Sequence, residues 1–229
     1  MSEAGNSEEQ LQNAADETEI EIIRRTLSER WSQILSAFML AAVAVGTAWS
    51  GYQAARWGGF QSLRFSEASS RRVESTRSST LAGQMATVDV MLFSGFVNAF
   101  AEGNEELAQF YEDRFREEFV PAYEAWIATD PRNNPDAPPE PFSMPEYKLS
   151  EMEKAIALEE EAAQLFEEGK DANQTSDEYV FNSVLLATVL FFAGIATQFE
   201  WQPIRWALLG LGSIMLIYGI YTLLTLPIQ

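Results

Sequence analysis

Three long stretches of the chain contain no Asp, Glu, Lys or Arg, and this pattern limits the fold more than any other feature. They cover residues 31–55, 179–199 and 206–229. A helix needs about 20 apolar residues to cross the hydrocarbon core of a bilayer, whereas a soluble helix of that length normally turns a charged face to water. The sequence therefore predicts an all-α membrane protein with transmembrane helices at 31–55, 179–199 and 206–227.

The rest of the chain is polar and is predicted to lie outside the membrane. Residues 1–18 are acidic and lack aromatic side chains, which predicts a disordered tail. Residues 19–30 predict an amphipathic juxtamembrane segment that leads into a retained anchor rather than a cleaved signal. Residues 56–178 show no strand-like alternation and predict a long helical hairpin or stalk. Six of the nine prolines fall in 131–145, which predicts an extended linker.

Composition excludes several classes of function. The formal net charge is −19, and residues 101–178 hold 22 acidic and six basic side chains. Because an acidic surface repels phosphate, we expect no nucleic-acid binding. The chain has no Cys and no His, which removes thiol chemistry and the usual general base near neutral pH. Its glutamate clusters lack calcium-loop spacing, and the sequence has no nucleophile elbow, phosphate-binding glycine loop or metal-ligand helix motif. We therefore expect a non-enzyme without metal or cofactor.

Small residues form a ridge along one face of the first predicted span. They recur every four positions, at Ala42, Gly46, Ser50 and Ala54. Gly194, Gly212 and Gly219 in the last two spans suit a contact between those spans. Such residues let helices approach closely, either within one chain or between copies. Three spans make a thin bundle, so we expect an oligomer.

Two predicted helices leave the membrane, one after the first span and one before the second. Residues at equal distances from the spans should meet, which predicts ion pairs that set the register. Their members are Arg64, Arg71, Arg72, Glu160 and Glu161. An apolar seam at heptad-like spacing in the second helix predicts coiled-coil packing. That seam comprises Leu149, Met152, Ile156, Ala163 and Phe166.

An aromatic stripe marks the middle of the polar segment. Phe115, Phe119, Tyr123 and Trp126 recur at spacings of four, four and three, which predicts one helix over 105–129 with a bend at Pro121. We expect this stripe to pack on the apolar residues 85–100 as a helical hairpin. Together with Phe96, the same side chains form a candidate aromatic pocket.

Positive residues predict the orientation. Arg24, Arg25 and Arg30 precede the first span. Arg205 lies in the short loop between the second and third spans. Basic residues near span ends favour the cytoplasm, so we expect a cytoplasmic N-terminus and residues 56–178 on the outer side.

The run Trp49-Ser50-Gly51-Tyr52-Gln53-Ala54-Ala55-Arg56-Trp57 leaves the first span. Followed by a helical polar region and a C-terminal hairpin, it resembles a family of small bacterial membrane proteins classed as a domain of unknown function. The likeness covers the layout of most of the chain, and its specific part is the Tyr-Gln-Ala stretch. The resemblance implies a bacterial inner membrane and no assigned activity.

These observations favour a non-enzymatic assembly or partner-binding protein in the lipid bilayer. It would contact further copies of itself or another membrane protein through its helical extramembrane domain. One alternative is an oligomeric pore or channel-accessory subunit with the small-residue ridge at the interface, although charge-free spans argue against ion-coupled transport. A second alternative is a ligand-sensing membrane domain that uses the aromatic pocket.

Overall fold

A computed structural model of the protein describes residues 30–199 and 201–229. The described part is all-helical and contains no strand, as the sequence predicts. Five helices follow one another: α1 (Ser2–Glu102), α2 (Glu105–Glu112), α3 (Val120–Ile127), α4 (Ser150–Ala196) and α5 (Gln202–Thr225). A single 3-10 turn, Pro141–Ser143, lies between α3 and α4. The predictions for residues 1–18 and 19–29, including Arg24 and Arg25, lie outside the described residues.

Three helical segments are long and apolar enough to cross a membrane. They are Arg30–Glu102, Ser150–Ala196 and Gln202–Thr225, and they contain the three predicted spans. Helix α4, which contains the second predicted span, ends at Ala196 rather than at residue 199. Pro203 lies in the first turn of α5, where its missing N–H would have had no helical partner. These helices fit a multi-pass membrane protein.

Internal contacts divide the chain into two compact units. The span unit comprises Met1–Ser62 and Lys170–Gln229, and the polar unit comprises Leu63–Gly169. In the span unit, Met39 and Val43 of α1 pack against Leu186 and Val189 of α4 and Leu209 of α5. The opposite faces of these helices remain apolar and are exposed; they carry Phe38, Val45, Val184, Phe191, Ile214, Ile217 and Leu224.

In the polar unit, α1 and α4 pack along small side chains. Ala68, Ser75, Ser78 and Ala82 are buried on α1, and Ala155, Ala162 and Gly169 are buried on α4. The Ser75 hydroxyl donates a hydrogen bond to the carbonyl of Ala155 at 2.7 Å, which requires a close approach of the two helices.

Most of the predicted seam of α4 lies off the face that contacts α1. Ile156 is 63% exposed, and Met152, Ala163 and Phe166 are exposed as well. The face that contacts α1 follows Ala155, Leu158, Ala162, Leu165 and Gly169, at spacings of three and four. Small residues at Ala155, Ala162 and Gly169 allow the close approach, while Phe166 of the predicted seam stacks on Phe65 of α1 with 5.2 Å between ring centres.

The region after α1 is more broken than predicted. Gly103 has a φ of 72°, which ends α1, and the side chain of Asn104 caps α2 by accepting a hydrogen bond from the N–H of Leu107. The single helix predicted over 105–129 is wrong, because α2 ends at Glu112 and α3 begins at Val120. Pro121 lies in the first turn of α3, where proline starts a helix rather than bending one.

The proline-rich stretch 131–145 is folded rather than extended. Pro141 is buried, and the Phe142 ring stacks on Phe119 with 5.3 Å between ring centres. The indole N–H of Trp126 donates to the carbonyl of Pro138 at 2.8 Å. These contacts hold the stretch as a strap across the aromatic residues.

Candidate functional site

A polar clamp holds the residues that follow α5. Gln53 of α1 is fully buried; its side-chain oxygen accepts from the N–H of Gln229 at 3.1 Å, and its amide donates to the Gln229 carbonyl at 3.3 Å. The Pro227 carbonyl accepts from the Trp57 indole at 3.0 Å and from the Tyr179 hydroxyl at 3.2 Å. Two donors occupy both lone pairs of that carbonyl. Three side chains thus fix the chain after α5 through backbone groups alone.

The clamp gives a physical role to the stretch that carries the family resemblance. Gln53 and Trp57 lie four residues apart on α1, so both point toward the same neighbour. Tyr52, which directly precedes Gln53, is half-exposed. The sequence alone did not reveal this role, because the partner backbone lies about 170 residues further along the chain.

A buried polar pair lies near the clamp. The Asn182 amide donates to the Ser50 hydroxyl at 3.1 Å, and both side chains are buried. Within the described part of the chain, the Asn182 side-chain oxygen has no hydrogen-bond partner. A Cβ added to Gly219 would lie 3.3 Å from that oxygen, so the glycine lets α5 approach it closely. In apolar surroundings such a pair fixes the register of two helices.

The small-residue ridge of α1 contacts other helices of the same chain. A Cβ on Gly46 would lie 3.0 Å from Leu186, and the Ala54 carbonyl accepts from Ser176 at 3.0 Å. Ala42 packs on the core that includes Leu186. With Ser50 bonded to Asn182, all four predicted positions pack against helices of their own chain. This ridge is therefore unavailable as the symmetric interface of a pore.

The three predicted glycines of the last two spans behave differently. Gly212 approaches Met39, and Gly219 approaches Leu186, each with 2.9 Å from an added Cβ to the nearest side-chain atom. Around Gly194, by contrast, no described atom lies within 4 Å of an added Cβ. The prediction for Gly194 is wrong because that side of α4 faces away from the helix contact.

The polar unit contains a buried ionic network. Asp89 is fully buried, and Arg116 donates to its two oxygens at 2.8 and 3.3 Å. The Tyr147 hydroxyl donates to the same carboxylate at 3.2 Å. Arg116 also pairs with Glu118, which accepts from the hydroxyl and the backbone N–H of Ser150, the first residue of α4. The network joins α1, the turn before α3 and the start of α4.

The network shifts two ionisation equilibria. Burial and the negative charge of Asp89 raise the pKa of Tyr147 to about 12. The hydroxyl and N–H of Ser150 donate to Glu118 and, with Arg116, lower the pKa of that carboxyl. Across residues 30–199 and 201–229, no group of three or more acidic side chains is arranged to hold a metal ion. The oxygens of Asp89 are bonded to Arg116 and Tyr147, which makes the network a structural one.

The predicted arginines of α1 lie opposite glutamates of α4. Arg64 pairs with Glu168 at 2.9 Å, and Arg71 pairs with Glu161 at 3.1 Å. Arg72 pairs with Glu159 at 3.5 Å. Glu160 is exposed and has no ion pair among the described residues. At about 100° per residue, Glu160 points away from the face centred on Ala162, while its two neighbours flank that face.

The predicted aromatic pocket is filled by its own rings. Its five members are buried: Phe96, Phe115, Phe119, Tyr123 and Trp126. Ring centres lie 5.2 Å apart for Phe96 and Tyr123 and 4.9 Å apart for Phe115 and Tyr123. The stripe packs on residues 85–100 through Phe93 and Phe96, as expected. Burial and the nearby carboxylate of Glu112 raise the pKa of Tyr123. These rings are the core of the polar unit rather than an open ligand site.

An open furrow runs around that core. One groove of about 480 Å³ is lined by Phe100, Tyr123 and Ile127, with acidic residues and Arg132 beside it. Two smaller grooves continue it, first along Val97 and Trp126 and then to Val90 and Phe142. We call the exposed surface formed by Val90, Val97, Phe100 and Ile127, with the buried Trp126 at its base, the apolar furrow. The Arg132 guanidinium lies 5.1 Å from the centre of the Phe100 ring.

Comparison with known proteins gives no match among protein-family models, curated proteins or solved structures. The resemblance of the Trp49–Trp57 run to small bacterial membrane proteins stays a prediction.

Proposed function

We propose that the chain is a non-enzymatic, three-span protein of the bacterial inner membrane whose polar unit binds a partner protein through the apolar furrow. The furrow itself carries this proposal. Val90, Val97, Phe100 and Ile127 are between 37% and 46% exposed. They lie in a unit with 22 acidic and nine basic residues, a composition suited to water. A connected exposed apolar surface on such a unit is typical of an interaction site.

Charge defines the partner. Glu105 and Glu112 line one end of the furrow and Glu140 lines the other, and Arg132 is the basic residue that lines it. A segment with apolar and basic side chains would match this surface. A second copy of the same acidic unit would be repelled, so the furrow favours a different protein as its partner.

The outer faces of the span unit support membrane insertion. Large apolar side chains cover them, including Ile214 and Ile217, both 68% exposed. Exposing these apolar faces to water would be unfavourable in free energy, whereas the acyl chains of a lipid bilayer would solvate them. Both alternatives from the sequence lose their site, because the small-residue ridge is covered within the chain and the aromatic pocket is filled. We therefore propose neither a pore nor a sensor.

Cysteine labelling can test the orientation in the membrane without background labelling, because the chain contains no cysteine. We expect Glu146→Cys to react with a membrane-impermeant maleimide on spheroplasts. Gln198→Cys, in the turn after α4, should react only after lysis. The reverse pattern would place the N-terminus outside.

Site-specific photocrosslinking in native membranes tests the furrow. A benzoylphenylalanine at Phe100 should give one discrete adduct, and the same group at Val88, which is exposed on α1 outside the furrow, should not. Val97→Ser should reduce the adduct, whereas Val88→Ser should leave it unchanged. Added salt should also reduce it, since screening weakens the attraction between the acidic rim and a basic partner.

Mass spectrometry of the adduct decides between partners. A crosslinked segment rich in basic and apolar residues supports the proposal. Equal adducts at both positions, or an acidic segment, would contradict it. An adduct at twice the mass of the chain would indicate a second copy.

A further inference from the structure

A small polar cleft lies in the span unit between α1, the turn after α4 and the start of α5. Its volume is about 60 Å³, and its lining residues are Ser32, Gln33, Ser36, Thr197 and Arg205. Among these side chains, only Arg205 carries a charge, and that charge is positive. We call this the arginine cleft.

The arginine cleft lies at the boundary of the proposed membrane spans. Ser32 and Ser36 belong to the start of the first charge-free stretch, and Arg205 directly precedes the third. The side chains of Trp31 and Trp201 are 64% and 66% exposed. Exposed tryptophans at the ends of membrane spans are typical of the headgroup level. The phosphates of the surrounding phospholipids would therefore lie at the depth of the cleft.

The guanidinium of Arg205 is fixed in position and keeps donors to spare. Its Nε and one Nη donate to the Phe199 carbonyl at 3.1 and 2.8 Å, and its other Nη donates to the Ser32 hydroxyl at 3.4 Å. A guanidinium has five N–H donors, so two remain for a ligand. Arg205 is also the fourth residue of α5, a helix of 24 residues whose N-terminus has no side-chain cap. The dipole of such a helix adds to the attraction for an anion.

Ser36 provides a second, independent indication of a ligand. Its side chain is 5% exposed and lines the cleft, yet its hydroxyl has no hydrogen-bond partner among the residues that the structure describes. Ser183 and Ser213, in the other two spans, instead donate to the carbonyl four residues earlier in their own helices, at 3.1 and 2.7 Å. A buried hydroxyl without a partner is unfavourable, and an acceptor oxygen inside the cleft would satisfy it.

We propose that the arginine cleft binds a phosphate group. Phosphate oxygens accept charge-assisted hydrogen bonds from the fork of a guanidinium, and they would also accept from the Ser36 hydroxyl. Basic pockets between transmembrane helices are known to bind lipid headgroups in this way. This inference rests on the proposed membrane placement and is independent of the furrow.

The size and depth of the cleft define the ligand further. Its volume of about 60 Å³ is roughly twice that of a water molecule in the liquid, which admits phosphate oxygens but not a whole headgroup. Binding should therefore depend on the phosphate rather than on the alcohol esterified to it. The depth favours a phospholipid as the source of the phosphate over the free anion.

Thermal unfolding of the detergent-purified full chain tests the proposal with three probes: phosphatidylglycerol, a glucosyl-diacylglycerol that lacks phosphate, and inorganic phosphate. We expect phosphatidylglycerol to raise the unfolding temperature at about tenfold lower concentration than the glycolipid, the ratio that one charge-assisted hydrogen bond gives. Protection by phosphatidylglycerol alone would identify a lipid as the source of the phosphate. Equal protection by inorganic phosphate would identify the free anion.

Two substitutions examine the cleft itself. Ser36→Ala should lower the preference for phosphatidylglycerol several-fold without lowering the unfolding temperature of the lipid-free chain, since it removes a hydroxyl that lacks a partner. Ser183→Ala, which removes a hydroxyl bonded within its own helix, is the matched control. Glu200→Gln removes the one acidic residue between the last two charge-free stretches and should strengthen binding.

The decisive comparison uses the wild-type chain. Equal protection by phosphatidylglycerol and the glycolipid, with no effect of inorganic phosphate, would overturn the proposal. A preference for phosphatidylglycerol that survives Ser36→Ala in full would also overturn it. A chain found in the soluble fraction without detergent would instead overturn the membrane placement, so the two failures are distinguishable.

Discussion

Asp89 illustrates how a charge is held inside the polar unit. Its carboxylate accepts two hydrogen bonds from Arg116 and one from Tyr147, and no solvent reaches it. Removing one partner of a buried ion pair leaves the other charge without compensation, whereas removing both is far less costly. Asp89 is the one charged residue of the otherwise apolar stretch 85–100. Its partner could not be predicted, because Arg116 lies 27 residues away on a turn without periodicity.

Arg116→Met should therefore destabilise the polar unit by about 3–5 kcal/mol, since Asp89 would stay buried and unpaired. Adding Asp89→Leu to that variant should restore part of the loss. The free energy of unfolding, measured with denaturant in detergent, checks this. Arg77→Met, at an exposed site of α1, serves as the control. A double variant less stable than Arg116→Met would contradict this account of the network.

Glu118 makes the stability of the polar unit depend on pH. Its pKa is lower in the folded protein than its ordinary value of 4.5, because Ser150 donates two hydrogen bonds to it. A carboxyl group whose pKa is lowered by folding stabilises the folded state at pH values above the pKa that it has in the unfolded chain. This stabilisation is lost as the pH falls through the pKa of the folded state. Glu118→Gln should lower the unfolding temperature at pH 7, and the difference from wild type should shrink below pH 4.5. Glu117→Gln, at the neighbouring exposed position, is the control.

At the scale of elements, α1 and α4 show which patterns in a sequence are informative. The arginines of α1 and the glutamates of α4 lie opposite one another, as the count of residues from the spans predicts. The contacting face of α4 could not be predicted from its larger apolar residues, because Ser75 and Ala155 require the backbones to lie close. Hydrophobic periodicity reports where large side chains lie, and here small ones form the contact.

Charge-reversal variants distinguish the roles of Glu159 and Glu160, which are adjacent on α4. Arg72→Glu combined with Glu159→Arg should recover stability lost by Arg72→Glu alone, because the structure pairs these residues at 3.5 Å. Arg72→Glu with Glu160→Arg should recover nothing. The coupling energy from a double-mutant cycle should be about 0–1 kcal/mol for an exposed pair. Equal coupling at both positions would show that the face of α4 is misassigned.

Prolines explain why the residues between α2 and α4 differ from the predicted single helix over 105–129 and the predicted extended linker over 131–145. Pro121 lies in the first turn of α3, and Pro138 and Pro141 anchor the strap on the aromatic core. Composition predicts that a proline-rich stretch is not a long helix. It does not predict whether the stretch packs, because that depends on distant rings such as Phe119 and Trp126.

For the whole molecule, the three long apolar helices were the most predictable feature, because few other structures suit so long a stretch without charged residues. The clamp was not predictable. Gln53 and Trp57 lie in a stretch that the sequence singles out, yet their partners are the backbone of residues 227 and 229. Backbone groups carry no sequence signal, so only the folded chain reveals this contact.

Gln53→Leu should release the residues after α5, since leucine offers neither a donor nor an acceptor to Gln229. A spin label on Ile228→Cys should show faster motion in that background by electron paramagnetic resonance. Tyr52→Leu, on the exposed side of the same turn, should leave the label unchanged. Unchanged motion in both variants would mean that the clamp contributes little.

The long sequence separation between Gln53 and Gln229 also determines when this contact can form during synthesis. A buried side-chain amide at the end of the first span finds its hydrogen bonds only when a segment 176 residues later arrives. During synthesis that amide must stay hydrated or hydrogen-bonded to another group until residues 227–229 have been made. Gln53 therefore reaches its final hydrogen-bonding environment only late in synthesis.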